Sequence, residues 1–163
     1  MNLSDFFIGA FLSTVVQKGK VALIEYGEAS SKLFIVETNN SLAGKKFYVK
    51  YSKKARNWKL NGCYWLFNIT QKELNLIIKH KPDFCLVCGD IKKEKLSTFG
   101  YLCYLPFNIV ESLLSFDSYD DQWIRVETLK TGGKLRVYSK LTGLKNKHLI
   151  NKSDFEKFAK NEL

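Results

Sequence analysis

Between Cys63 and Asp90 the chain reads strand, capped helix, strand, with hardly a residue to spare, and this unit restricts the fold more than any other stretch. CYWLFNI (63–69) is rich in aromatic residues, the composition of a strand packed on at least one face. Thr70-Gln71-Lys72-Glu73 follows. A threonine three residues before a glutamate forms a capping box, in which each side chain satisfies the other residue's backbone N–H, so a helix starts here. ELNLIIKH continues it, and Pro82 ends it, because the residue before a proline is pushed out of helical backbone. DFCLVCGD (83–90) then holds a short apolar run, which fits a central strand covered on both faces.

The other segments add strands and helices around this unit. LSDFFIGAFLSTVVQK (3–18) places Phe6, Phe7, Ala10, Phe11 and Thr14 at helical spacing, with Ser4 or Asn2 able to cap it and Gly19 to stop it. VALIEYGEAS (21–30), KLFIVET (32–38) and KKFYVKYS (45–52) read as strands, and NNSLAG makes a hairpin of the last two. IKKEKLSTFGY is a polar excursion, after which Asn108 and Glu111 offer a second capping box. QWIRVETL (122–129) and KLRVYSK (134–140) flank Thr131-Gly132-Gly133 as a hairpin, and Ser153 with Glu156 opens a last helix. The predicted fold class is α/β or α+β, a mixed central β-sheet flanked by helices with a C-terminal β-hairpin and helix. The 163 residues suit a single domain. The acidic stretch at 115–121 divides a core over 1–115 from an appended hairpin-helix over 122–163.

Charge speaks to partners. The chain carries 26 Lys and Arg against 16 Asp and Glu, a net +10, which points first to nucleic acid and then to an anionic surface or acidic protein. No run is long and apolar enough for a membrane span, and MNLSDFF lacks a basic leader region, so a cytoplasmic protein with reduced thiols and no membrane partner is expected. Cys85 and Cys88 form a CxxC, but an odd separation within a strand points them to opposite faces, which suits neither zinc nor a redox pair. Cys63 and Cys103 supply no second pair. The two histidines, His80 and His148, lie far apart, and no GxSxG, P-loop or GxGxxG occurs.

What remains is carboxylate-plus-lysine chemistry. Two acids and a lysine on adjacent strands can hold magnesium, or manganese in its place, and activate water against a phosphodiester. Lys50 stands inside the strand Phe47-Tyr48-Val49-Lys50-Tyr51, and a basic run of Lys53, Lys54, Arg56 and Lys59 follows, with Trp58 available to stack. Arg125, Lys134 and Arg136 make the C-terminal hairpin basic too, suited to lying along a phosphate backbone. Tyr64, Trp65 and Phe67 are read as core.

An opening helix, a hairpin whose second strand carries a lysine, then a strand, a helix and a buried strand together resemble the restriction-endonuclease-like, PD-(D/E)XK, superfamily over residues 1–115. The resemblance implies a metal-dependent endonuclease acting on DNA in defence or mobile-element contexts, with magnesium as cofactor. Carried over, Val36-Glu37 stands at the PD position and Tyr48-Val49-Lys50 at (D/E)-x-K. Tyr48 is a poor magnesium ligand where the family has a carboxylate, so the second acid would have to come from Glu28 or Glu25. The expected site is then Lys50 acting on water, Glu37 and Glu28 holding the metal, and Lys53, Lys54, Arg56, Trp58, Lys59 and Arg136 holding nucleic acid. Double-strand cutters of this kind often work as homodimers. Tyr48 also favours a second reading, a catalytically inactive nucleic-acid-binding module of the same fold. A third is an inhibitor or immunity protein whose basic face meets an acidic partner.

Overall fold

The computed structural model describes residues 8–9, 12–13, 20–26, 31–37, 45–53, 55–58, 62–89, 101–128 and 134–151, with backbone alone for 20–26, 31–37 and 55–58. Ile8, Gly9, Leu12 and Ser13 are helical, in keeping with an opening helix. The terminal capping box at Ser153 and Glu156 lies outside the described residues.

The architecture is α+β, with two sheets. The first contains β1 (Lys20–Tyr26), β2 (Ser31–Glu37), β3 (Lys46–Lys53), β6 (Asp83–Gly89) and β7 (Tyr101–Leu105), in the order β1-β2-β3-β6-β7. The second contains β4 (Ala55–Trp58), β5 (Gly62–Ile69), β8 (Gln122–Thr128), β9 (Lys134–Ser139) and β10 (His148–Asn151), in the order β10-β9-β8-β5-β4. Two helices complete the described elements, α1 (Gln71–His80) and α2 (Phe107–Leu113). Between Lys53 and Ala55 the chain leaves the first sheet for the second. It returns through β5 and α1 to β6, the crossover that a parallel β3–β6 pair requires.

The core lies between the sheets. Tyr48, Phe84, Leu86 and Leu105 of the first sheet join Trp65, Phe67, Ile124, Val126 and Val137 of the second, with Leu74 and Ile77 of α1 and Val110 and Leu113 of α2. Each strand presents alternate residues to this layer, as pleating demands. Two polar contacts lock the sheets together. The Trp65 indole donates to the Gly89 carbonyl at 2.8 Å, and the Ser52 hydroxyl donates to the Leu66 carbonyl at 2.8 Å. Leu66 lies beyond the reach of β4, which pairs with β5 only from Gly62 to Tyr64, so this carbonyl needs a side-chain donor.

The capping box over Thr70 and Glu73 forms as expected. The Glu73 N–H donates to Thr70 Oγ1 at 3.3 Å, and the Thr70 N–H donates to Glu73 Oε2 at 3.0 Å. At the other end Lys81 adopts the left-handed conformation, φ 49°, before Pro82. The expected box over Asn108 and Glu111 does not form. Pro106 occupies the cap, without a side-chain acceptor of its own. Asp83 replaces it from the start of β6: the Phe107 N–H donates to Asp83 Oδ1 at 2.8 Å, and the Tyr104 hydroxyl donates to Oδ2 at 2.7 Å.

Strands β8, β9 and β10 belong to the second sheet, in which β8 pairs along its whole length with β5, from Ile69↔Gln122 to Cys63↔Thr128. Strand β6 is central, between β3 and β7, and buried from Phe84 to Gly89. Cys85, Cys88 and Cys103 are free thiols with no exposure, and Cys63 is half-buried. Cys88 belongs to the layer between the sheets and Cys85 does not, as their odd separation requires. Burial pushes both thiols well up, and the nearby Asp83 carboxylate adds to the effect at Cys85. A thiol reagent on the native protein should therefore label Cys63 quickly and the other three only on unfolding. Cys63→Ser should remove the fast phase, and rapid labelling of Cys85 or Cys88 would contradict their burial.

Candidate nucleic-acid interface

Lys50 sits in the middle of β3, flanked by Ser31 of β2 and Leu86 of β6, and is 5% exposed. A strand covered on both faces has no room for an unpaired ammonium. Its partner comes from α1. Lys50 Nζ lies 2.7 Å from both Glu73 Oε1 and Glu73 Oε2, and Glu73 is fully buried. The capping carboxylate of α1 thus serves twice, holding the helix N-terminus and neutralising Lys50. Tyr48, at the position where the resemblance wants an acid, packs against Phe84 with ring centroids 4.7 Å apart.

The β2–β3 register does not bring Glu37 to Lys50. Ser31 stands opposite Lys50 and Ile35 opposite Lys46, so Glu37 lies past the far end of that pairing. Glu37 is six residue steps along β2 from Ser31, roughly 20 Å at about 3.4 Å per residue. In the other direction Glu37 pairs with Lys20 of β1. Glu25 pairs with Leu33, next to an irregularity in β1, and Glu28 lies outside the described residues. Among the described residues no three His, Cys, Asp or Glu side chains converge as a metal site would need. The register thus leaves Glu37 well along β2 from Lys50, and among the described residues the carboxylate that meets Lys50 also caps α1.

The basic run divides at the sheet change. Lys53 ends β3 and is exposed. Arg56 and Trp58 fall on β4, the edge strand beside β5, with Ala55 opposite Tyr64 and Trp58 opposite Gly62. Lys54 and Lys59 lie outside the described residues.

Arg136 leads to a different surface. Residues Ile124 and Val126 of β8 face the core, so Trp123, Arg125 and Glu127 take the outer face of the second sheet. Beside them stand Tyr64, Leu66 and Asn68 of β5 and Lys134, Arg136 and Tyr138 of β9. Glu127 is the hub. It stands across from Tyr64 on one side and Arg136 on the other, and is 1% exposed. Arg125 Nε is 2.8 Å from Glu127 Oε1, Arg136 Nη2 is 2.8 Å from Oε2, and the Tyr138 hydroxyl donates to Oε1 at 2.7 Å. The Arg125 guanidinium lies over the Tyr64 ring, 3.9 Å from its centroid, and Trp123 meets Tyr138 edge-on at 6.1 Å. Burial, then the hydrogen bond to Glu127 and its charge, push the Tyr138 phenol up to about 12, against the pull of Arg125 and Arg136.

This arrangement fixes two guanidinium groups on an accessible sheet face. The Arg125 and Arg136 side chains keep 22% and 19% of their surface in solvent, over a carboxylate that keeps almost none. A guanidinium has five N–H donors, more than one shared carboxylate can take, so the Arg136 fork, ion-paired to Glu127 through Nη2, can also face an outside anion. Leu66, at 40% exposure, and the exposed Asn68 and Lys134 complete the face. Of the residues expected to bind nucleic acid, Arg136 is the one this cluster contains. Tyr64, read as core, is instead on the outer face, while Trp65 and Phe67 are core as expected. The period-two alternation of WIRVE was the signal that could have found the cluster.

A second contact resembles a catalytic pair. Ser112 Oγ of α2 lies 2.9 Å from His148 Nε2 of β10. The same hydroxyl donates to the Ile109 carbonyl at 2.7 Å. Its one proton is thereby committed, and the imidazole must donate to the oxygen, the reverse of what a nucleophile and its base require. The contact ties α2 to the edge of the second sheet.

Comparison with known protein families, characterised proteins and solved structures gives no match. Among the described residues no helix is long and apolar enough to cross a membrane.

Proposed function

We propose that the protein is a nucleic-acid-binding module whose contact surface is the outer face of the second sheet. Arg125 and Arg136, fixed by the buried Glu127 and with Arg125 stacked on Tyr64, are the observation that carries this reading. Ordering the arginines in the free protein lowers the cost of ordering them on phosphate. The net charge of +10 supplies the long-range attraction. A hydrolytic role centred on Lys50 finds less support, since its ammonium is buried against Glu73 and Glu37 stands far along the strand.

Fluorescence anisotropy of labelled oligonucleotides across a salt series tests the reading. Binding should weaken as salt rises. Lys134→Glu, which leaves the Glu127 cluster intact, should weaken it about 3–10-fold and flatten the salt dependence by about one unit of log–log slope. Absence of salt-sensitive binding in the folded protein would refute the proposal. The same samples, incubated with supercoiled plasmid and magnesium or manganese, should leave the plasmid intact. Metal-dependent cutting would restore the nuclease reading.

A further inference from the structure

We infer that this face takes single-stranded nucleic acid, with unpaired bases lying on its aromatic side chains, and the inference rests on the nucleic-acid-binding reading above. Three features of the face argue against a duplex. The first is shape. The strands that carry the cluster, β5, β8 and β9, are flanked by β4 and β10. A major groove about 12 Å wide admits a helix or a two-stranded ribbon, and three strands inside a wider sheet at about 4.8 Å spacing do not protrude to enter it.

The second is charge. Among the residues whose side chains are described, this face holds Arg125, Arg136 and Lys134 against Glu127. Duplex binding by phosphate contact alone uses about 6–10 such contacts to become tight and strongly salt-dependent. These described cations support a smaller electrostatic share than that, which leaves a part for stacking to supply.

The third is the source of that interaction. Trp123 is half-buried and Leu66 is 40% exposed, so apolar surface remains accessible beside the cations, while the Tyr64 ring carries Arg125. Trp123 meets Tyr138 edge-on, with ring centroids 6.1 Å apart. The Arg125 guanidinium lies over the Tyr64 ring and offers a planar cation on which a base can stack. A duplex hides the faces of its bases, whereas a single strand can turn them onto such a platform. The glutamate that reduces the charge also holds the arginine planes in place, which suits stacking better than phosphate neutralisation.

The test compares the full-length protein with 15-nucleotide oligo-dT, 15-nucleotide oligo-rU and a 15-base-pair duplex at fixed salt. At least one single strand should bind about ten-fold or more tighter than the duplex, with a log–log salt slope shallower than about −3. Ultraviolet cross-linking of the bound single strand to the wild-type protein should map to the peptides containing Tyr64 or Trp123. Trp123→Ala should weaken single-strand binding about ten-fold and leave duplex binding within two-fold. The cross-link map needs no variant, so a poorly folded Trp123→Ala leaves the inference testable. Duplex binding as tight as either single strand would overturn the inference and leave the binding module standing. Cross-links confined to other segments would also overturn it. Binding to none of the three probes would overturn both. The dT and rU arms separate a DNA partner from an RNA one.

Discussion

Glu73→Ala should destabilise the fold by about 3–5 kcal/mol, measured as a loss in urea-unfolding free energy at neutral pH. The substitution strands the Lys50 ammonium, 5% exposed, inside a strand covered on both faces. It also removes the acceptor for the Thr70 N–H at the start of α1. Lys50→Met should cost less, about 1–3 kcal/mol, because the carboxylate keeps its Thr70 contacts and the favourable field of the helix N-terminus. Glu73→Gln separates the two roles, since glutamine still serves the capping box but carries no charge. The double variant Lys50→Met with Glu73→Gln should recover part of the summed loss, a coupling of about 0.5–3 kcal/mol. If Glu73→Gln unfolds within 0.5 kcal/mol of wild type, the pair is not the buried contact described above. A consequence bears on activity assays. Lost cleavage in a Lys50 variant would report a damaged fold as readily as damaged chemistry, so unfolding must be measured beside it.

The local parts of this fold are legible in sequence because local rules govern them. The capping box at Thr70 and Glu73, the stop at Pro82 and the buried β6 each depend on a few adjacent residues. The β8–β9 hairpin follows from alternation around a glycine turn. Strands β4, β7 and β10 were missed for three different reasons. ARNW is four residues of a basic run, YLCYL follows a polar stretch, and HLIN is a short edge strand after a turn. The cap of α2 could not be read locally, because Asp83 supplies it from another strand.

The candidate site was less legible, and for one physical reason. Lys50 is visibly anomalous within its strand, but the residue that explains it lies 23 positions away in a helix whose glutamate already had a local role. The hairpin of β2 and β3 could be recognised, yet its register decides whether Glu37 meets Lys50, and turn composition alone does not fix it. The same holds for the second sheet. Trp123, Arg125 and Glu127 share a face by alternation, but the placement of Arg136 opposite Glu127 needs the cross-strand pairing.

Glu127→Ala should lower stability by about 2–4 kcal/mol, less than Glu73→Ala. Both charges lose a counter-ion, but the arginine side chains keep 22% and 19% of their surface in water and can turn outward, whereas Lys50 cannot. The Tyr138 hydroxyl also loses its acceptor. Glu127→Gln leaves an acceptor for Tyr138 and should recover part of the loss. A pH profile isolates the phenol. Its proton is held up to about 12 in the fold against an ordinary value of 10. Between those values the folded chain keeps a proton that the unfolded chain has released, so stability falls as pH rises. This contribution is fully present below pH 10 and gone above about 12. Tyr138→Phe should therefore show a shallower decline than wild type through that window, and Glu127→Gln should move the wild-type decline to lower pH. The difference between variant and wild type carries the information, because it cancels every group the two share. Identical slopes for wild type and Tyr138→Phe would mean that the fold does not hold the phenol proton up.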